Sequence, residues 1–241
     1  MKFIKLLLLG AKIFLKKFEY KFIKTGRIKV IRQDIPYFSQ FASEELVEDF
    51  ISGKKSVYID PNWKCSGART KSEYARWAWN GCGMACLQMI LFKKLNKKIP
   101  LVTLGDGCMS YGGYRTNIEA QTKGDLKNYF AGLFYEEFLH FIEKEFKLKG
   151  KIVSPLITEE IIDSLKERSF VIASVNPNIR DVENKSPSSS GHLVLIIGYD
   201  LNKKILYFHN PSGYFGKSQK NIKISFQDFE CFFRNRGIVV L

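Results

Sequence analysis

The sequence predicts an α+β fold, with helices dominating the first part of the chain and an antiparallel sheet dominating from about residue 170 onward. Three observations predict it. Helix-capping signals followed by apolar residues three and four positions apart recur up to about residue 168. Beyond that point the pattern changes to short strand-like apolar runs separated by turns. No linker long or flexible enough to force a domain boundary interrupts the chain, and no internal repeat is found.

The first 30 residues stand apart by charge. They hold eight Lys and one Arg against one Glu, a net +8 of the chain's +14. Drawn as a helix, Lys2, Lys5, Lys12 and Lys16 fall within an arc of roughly 80°, with Phe3, Leu7, Phe14 and Phe18 opposite. Residues 1–30 thus read as a basic amphipathic segment, packed on the protein's own core or lying on an anionic membrane surface. The apolar run Leu6–Leu9 is too short for a signal peptide or a transmembrane helix. Residues 31–241 read as one domain.

The elements follow in order. The stretch 34-DIPYFSQF-41 looks strand-like, and residues 42–62 look like a short helix followed by a turn. Thr70-Lys-Ser-Glu73 is a capping box that starts a helix near Lys71 and ends near Asn80–Gly81. A second helix runs from Cys82 to Leu95. Residues 103–125, rich in glycine and polar groups, read as loops. Helices are expected at about 133–147 and from Thr158 to near Arg168, and a short strand at Ile152–Val153. Strands follow at Phe170–Val175, Gly191–Tyr199, Ile205–His209, Ile222–Ile224 and Gly237–Leu241. Ser225-Phe-Gln-Asp228 caps a late helix.

Composition narrows the function. The 241 residues are 45% hydrophobic, enough for one sizeable core. Outside the first 30 residues the net charge is only +6, and no nucleic-acid-binding motif appears, so no nucleic-acid partner is expected. Five cysteines (Cys65, Cys82, Cys86, Cys108 and Cys231) form neither a CxxC pair nor a disulfide framework. A reducing compartment is expected, cytoplasmic with possible membrane association through the basic segment.

Three polar residues stand at the ends of predicted elements. Cys82, in 80-NGCGMACLQMIL-91, opens a helix, where partial positive charge and free N–H groups lower a thiol's pKa. Gly81 and Gly83 leave room for a substrate backbone to approach. His192 opens 191-GHLVLIIGYD-200, whose alternating faces are both apolar, so it marks where burial begins. Asn210, closing 205-ILYFHNPSG-213, is placed to accept from the imidazole and fix its tautomer. Together these are a nucleophile, a base and an orienter. His209, one residue earlier, points to the opposite face, so a metal site built from Cys82, His192 and His209 is not expected; nor is any cofactor.

These residues carry a resemblance. The segments 35-IPYFSQ-40, 77-WAWNGCGMACLQMIL-91, 191-GHLVLIIGYD-200 and 207-YFHNPSG-213 resemble those of the C39-like cysteine peptidases, papain-fold proteins related to the domains that remove double-glycine leader peptides. The resemblance implies a papain-like fold acting on a peptide or protein substrate. Cys82 would be the nucleophile, His192 the base and Asn210 the third member. Gln40 would donate to the oxyanion, with the Cys82 backbone N–H as the second donor. Asn210 departs from the Asp usual in that family. That leaves open a papain-fold module that binds peptides without cutting them; the basic N-terminus separately leaves open a membrane-surface protein acting through it.

Overall fold

A computed structural model describes residues 2–20 and 28–241. Helix α1 (Lys2–Tyr20) falls within residues 1–30, the segment expected to be basic and amphipathic, but the side chains of Lys2, Phe3, Lys5, Leu7 and Phe18 lie outside what is described. Lys16 turns inward: its Nζ donates to Pro155 O (2.7 Å) and to Glu160 (2.9 Å), and Lys17 pairs with Glu230 at 2.6 Å. Leu8, Phe14 and Leu15 remain 58%, 70% and 58% exposed. Charge pairing thus holds this end of the helix while apolar groups face out.

Strand β1 (Lys29–Ile31) is followed by the segment 34–41, expected to be a strand. It joins no ladder. It is a strap whose polar atoms bond to Asn210 and Pro211, far along the chain. Short helix α2 (Val47–Ser52) and two 3₁₀ turns lead to α3 (Lys71–Asn80), capped as predicted by Thr70 Oγ1 accepting from Glu73 N–H at 3.1 Å. Helix α4 (Cys82–Leu95) starts after a single intervening residue, Gly81, and ends on left-handed Asn96.

The segment expected to be loops contains helix α5 (Leu101–Ser110), strand β2 (Tyr114–Thr116) and the short helix α6 (Ile118–Thr122). Its glycines have a packing role that their composition hides. A Cβ on Gly105 would lie 2.7 Å from the Trp77 ring, and one on Gly107 would lie 3.0 Å from Phe141. Glycine stands in α5 because aromatic rings press on its backbone, and that contact outweighs the helix penalty of glycine.

Strand β3 (Phe130–Leu133) pairs with β2 as a separate two-stranded sheet. Then come α7 (Tyr135–Phe146), β4 (Gly150–Val153), α8 (Thr158–Lys166), β5 (Phe170–Val175), β6 (His192–Asp200), β7 (Ile205–His209), β8 (Ile222–Ser225), α9 (Phe226–Phe232) and β9 (Phe233–Val240). The main sheet is antiparallel, ordered β4-β9-β5-β6-β7-β8, with β1 also on β6. The α+β expectation holds.

The sheet is covered on both faces. Leu193, Leu195 and Ile197 pack under α4, α5 and α7, while Val194 and Ile196 face α8 and α9. A third cluster, with Phe41, Phe50 and Tyr74, lies around α2 and α3. On one edge of β6, β5 pairs with His192–Ile196 and β1 with Gly198–Asp200. On the other edge β7 reaches only as far as Leu195, paired with His209. His192 therefore stands at a strand end that β7 leaves open, and the turn after His209 passes beside it.

Candidate active site

The turn at 210–213 is built on Asn210, whose Oδ1 accepts from the Ser212 backbone N–H at 3.2 Å. This is the Asx-turn that Asn-Pro-Ser-Gly favours. A backbone N–H can only donate, so this contact identifies the Asn210 atom as the carbonyl oxygen. The same Oδ1 lies 2.7 Å from His192 Nε2. It can only accept there, so Nε2 carries the proton and Nδ1 is left with its lone pair. Asn210 is fully buried, and its Nδ2 has no partner among the described residues. His192 is also buried, and its pKa is pushed down to about 3 by burial and then by the nearby Arg180 charge, with the Asn210 bond opposing.

The strap 35–41 clamps this turn. Gln40 N–H and Ser39 Oγ donate to Pro211 O at 2.9 and 3.1 Å, and Tyr37 OH donates to Asn210 O at 3.0 Å. His209 belongs to the same clamp. Its Nδ1 accepts from Asn221 N–H at 3.1 Å, so Nε2 carries the proton and donates to Ile35 O at 3.1 Å. Both ring nitrogens are committed, which makes His209 structural.

Cys82 sits at the first position of α4 and is partly exposed. The Leu193, Gly83 and Cys82 backbone N–H groups act on its sulfur, as does the Arg180 charge, and all lower its pKa. Burial outweighs them, and the thiol is raised above its ordinary value rather than lowered as expected from its helix-start position. Cys86, one turn on, is buried with its Sγ 3.8 Å from Leu193 O, a core residue.

The glycines flanking Cys82 also differ from expectation. A Cβ on Gly81 would lie 2.7 Å from Trp77 O and 2.8 Å from Leu101 Cδ2. One on Gly83 would meet Leu133 Cδ2 at 2.8 Å and Leu193 Cδ1 at 3.2 Å. Both glycines are required by the protein's own packing. Gly81 lets α4 start directly against the end of α3; Gly83 lets the cleft wall close on α4.

Gln40 is buried; its Nε2 donates to Ala78 O at 2.7 Å, and its Oε1 has no partner among the described residues. Ala78 lies in the last turn of α3, where carbonyls lack helical donors. Gln40 thus links the strap, the Asn210 turn and the end of α3, and one Nε2 hydrogen remains for the cleft.

Cys82, His192 and Gln40 line one cleft of about 820 Å³; Asn210 stands behind His192. Among the described residues no hydrogen bond joins the Cys82 sulfur to the imidazole. Sequence reasoning missed three contributors. Ser212 Oγ lies 3.2 Å from His192 Nε2, and its Asx-turn was legible. The β2–β3 hairpin supplies Tyr114 and Leu133 to the wall, inside a region read partly as loop. Arg180 stands in the loop 177-PNIRDVENKSPSSSG-191, whose sequence suits it to form one wall of the cleft or a lid; it donates from Nε to Ser212 O (3.2 Å) and from Nη2 to Ser212 Oγ (2.8 Å), and nothing in the sequence singled out this residue within the loop.

A layer of helices presenting a thiol at a helix start, set on an antiparallel sheet that holds an imidazole–amide pair, places the chain in the α+β class. Within it, this chain belongs to the Peptidase_C39 like family, whose model matches residues 32–239. Among solved structures, a Bacillus anthracis protein with a provisional description as a C39-like peptidase is similar over 88% of this chain and 97% of its own, at 15% identity and a TM-score of 0.49. No curated protein gives a significant match. Among the described residues, no helix is long and apolar enough to cross a membrane.

Proposed function

We propose that the chain is a cysteine peptidase in which Cys82 attacks a peptide carbonyl. The observation that carries the reading is the 2.7 Å contact between His192 Nε2 and Asn210 Oδ1, which leaves Nδ1 as a proton acceptor at the strand end beside the thiol's cleft. The raised thiol and lowered imidazole make the resting pair neutral. Nδ1 therefore takes the thiol proton as the sulfur attacks, acting as a general base rather than meeting a preformed thiolate. The sulfur–carbon bond forms and the carbonyl becomes an oxyanion. The Cys82 backbone N–H and the second Nε2 hydrogen of Gln40 donate to it. His192 returns the proton to the amine, the C–N bond breaks, and a thioester remains. Water, deprotonated by the same nitrogen, then releases the acid and restores the thiol.

A screen of a peptide library by mass spectrometry tests this. Wild-type protein should give products that are lost in both Cys82→Ala and His192→Ala; products that persist in Cys82→Ala would exclude the reading. The neutral resting pair favours one rival, a module that binds peptides without cutting them. Binding by wild type with no cleavage of any bound peptide would establish that rival.

We also propose that α1 touches an anionic membrane surface. The exposed Leu8, Phe14 and Leu15, in a segment of net charge +8 over residues 1–30, support it. Deleting residues 1–30 should abolish binding to anionic vesicles and leave Cys82 alkylation unchanged. Equal vesicle binding by the truncated chain would refute it.

A further inference from the structure

Three cations line the cleft. Arg180 lies in its wall beside His192, and Lys127 and Arg236 stand exposed where they reach it. Lys127 rests over the Trp79 ring at 4.7 Å, and Arg236 lies 5.8 Å from the Tyr135 ring and bonds Ser174 Oγ at 3.4 Å. No Asp or Glu lines the cleft among the described residues. In so basic a chain the two exposed cations alone would mean little.

Arg180 is different. It is partly buried, and its hydrogen bonds go only to the neutral oxygens of Ser212. No carboxylate lies within ion-pair distance among the described residues, whereas Lys16, Arg69, Arg115, Lys185 and Lys217 all have one. Its electrostatic neighbours are Tyr214 and Cys82. A guanidinium taken partly out of water without a counter-ion is costly, and a planar fork is suited to a carboxylate. Ser212 fixes Nε and Nη2; Nη1 is left uncommitted.

Resting on the peptidase reading of this cleft, we propose that its substrate carries a carboxylate near the scissile bond, bound by Arg180 and drawn in by Lys127 and Arg236. Its position follows from the contacts. Nη2 is 2.8 Å from Ser212 Oγ, which is 3.2 Å from the imidazole nitrogen, so the guanidinium lies within about 6 Å of the ring. An extended residue spans about 3.4 Å, so a carboxylate on this guanidinium lies within a few residues of a carbonyl attacked beside the ring. It is either an acidic side chain or the free α-carboxyl of the peptide.

The test uses the full-length Cys82→Ala chain and rhodamine-labelled peptides read by fluorescence anisotropy. One series replaces Asp or Glu at each position with Asn or Gln; a second compares C-terminal acids with amides. At least one carboxylate should tighten binding about tenfold or more, as a charge-assisted contact does. The preference should fall several-fold in Arg180→Gln, persist in Arg180→Lys, and weaken with added salt. Should Arg180→Gln fail to fold, Arg236→Gln at the exposed rim replaces it, with a smaller loss expected. A preference confined to the first series identifies a side-chain carboxylate; one confined to the second identifies the chain end. Equal binding within every pair, or no binding of either member, overturns the inference. Wild-type protein is then given the same peptides. Cleavage without charge preference refutes this inference and leaves the peptidase reading standing; charge-selective binding without cleavage does the reverse.

Discussion

Replacing Asn210 by Asp tests the imidazole–amide pair without removing an atom from it. The side chains are nearly isosteric, and both accept the Ser212 N–H and the His192 Nε2–H. What changes is charge. A carboxylate now lies at 2.7 Å from an imidazole whose pKa is held at about 3 by burial and the Arg180 charge. At an effective dielectric of about 20 and a charge separation of about 4 Å, the attraction is about 4 kcal/mol, or about 3 pKa units. Desolvating the new carboxylate opposes this, so a rise of about 1–3 units is expected, to between about 4 and 6. The chain has three histidines, so a ring-carbon NMR titration gives three signals, and His192 is identified by its loss in His192→Gln. His209 is the internal control, because both its nitrogens are committed elsewhere. A His192 midpoint that moves by less than about half a unit would refute the tautomer and contact assigned to this pair.

Three further outcomes are expected. His192 titrates near 6.5 when unfolded and near 3 when folded, so the unfolded chain binds more protons between these values; its contribution is complete above about 6.5 and is lost as pH falls toward 3. About 2 kcal/mol should disappear between pH 7 and pH 5; urea unfolding at the two pH values checks this, and an equal loss in His192→Gln would contradict it. Gly81→Ala should destabilise the fold by about 1–3 kcal/mol, because its Cβ would press on the Trp77 carbonyl; an unchanged urea midpoint would show that the α3–α4 junction has slack. Gln40→Ala should slow turnover of any substrate by about 10²–10³-fold, or about 2.7–4 kcal/mol of barrier, read as kcat; an effect confined to KM would remove Gln40 from the oxyanion role.

Local signals carried most of the secondary structure. Thr70 and Ser225 cap α3 and α9 through their own side chains, so those helix starts were readable from a few neighbouring residues. The two-faced burial of β6 was readable because both of its alternating sets are apolar. Where long-range contacts decide, local pattern misleads. Gly105 and Gly107 look like loop residues until Trp77 and Phe141 are seen against them. The strap 34–41 looks like a strand, yet its partner is a turn some 170 residues away, a pairing no local pattern encodes.

For the site the division is similar. The sequence by itself singled out Cys82, His192 and Asn210, because chemistry-bearing residues at element ends leave a local trace, and Gln40 through the family resemblance. Only the tertiary structure decided their electrostatics. Helix-start position alone argued for a lowered thiol pKa, but the packing of the cleft raises it. It also brought in Arg180, a residue without a motif, beside the imidazole. Burial and unpaired charge are properties of what surrounds a residue, and in this chain those surroundings come from segments far apart in sequence.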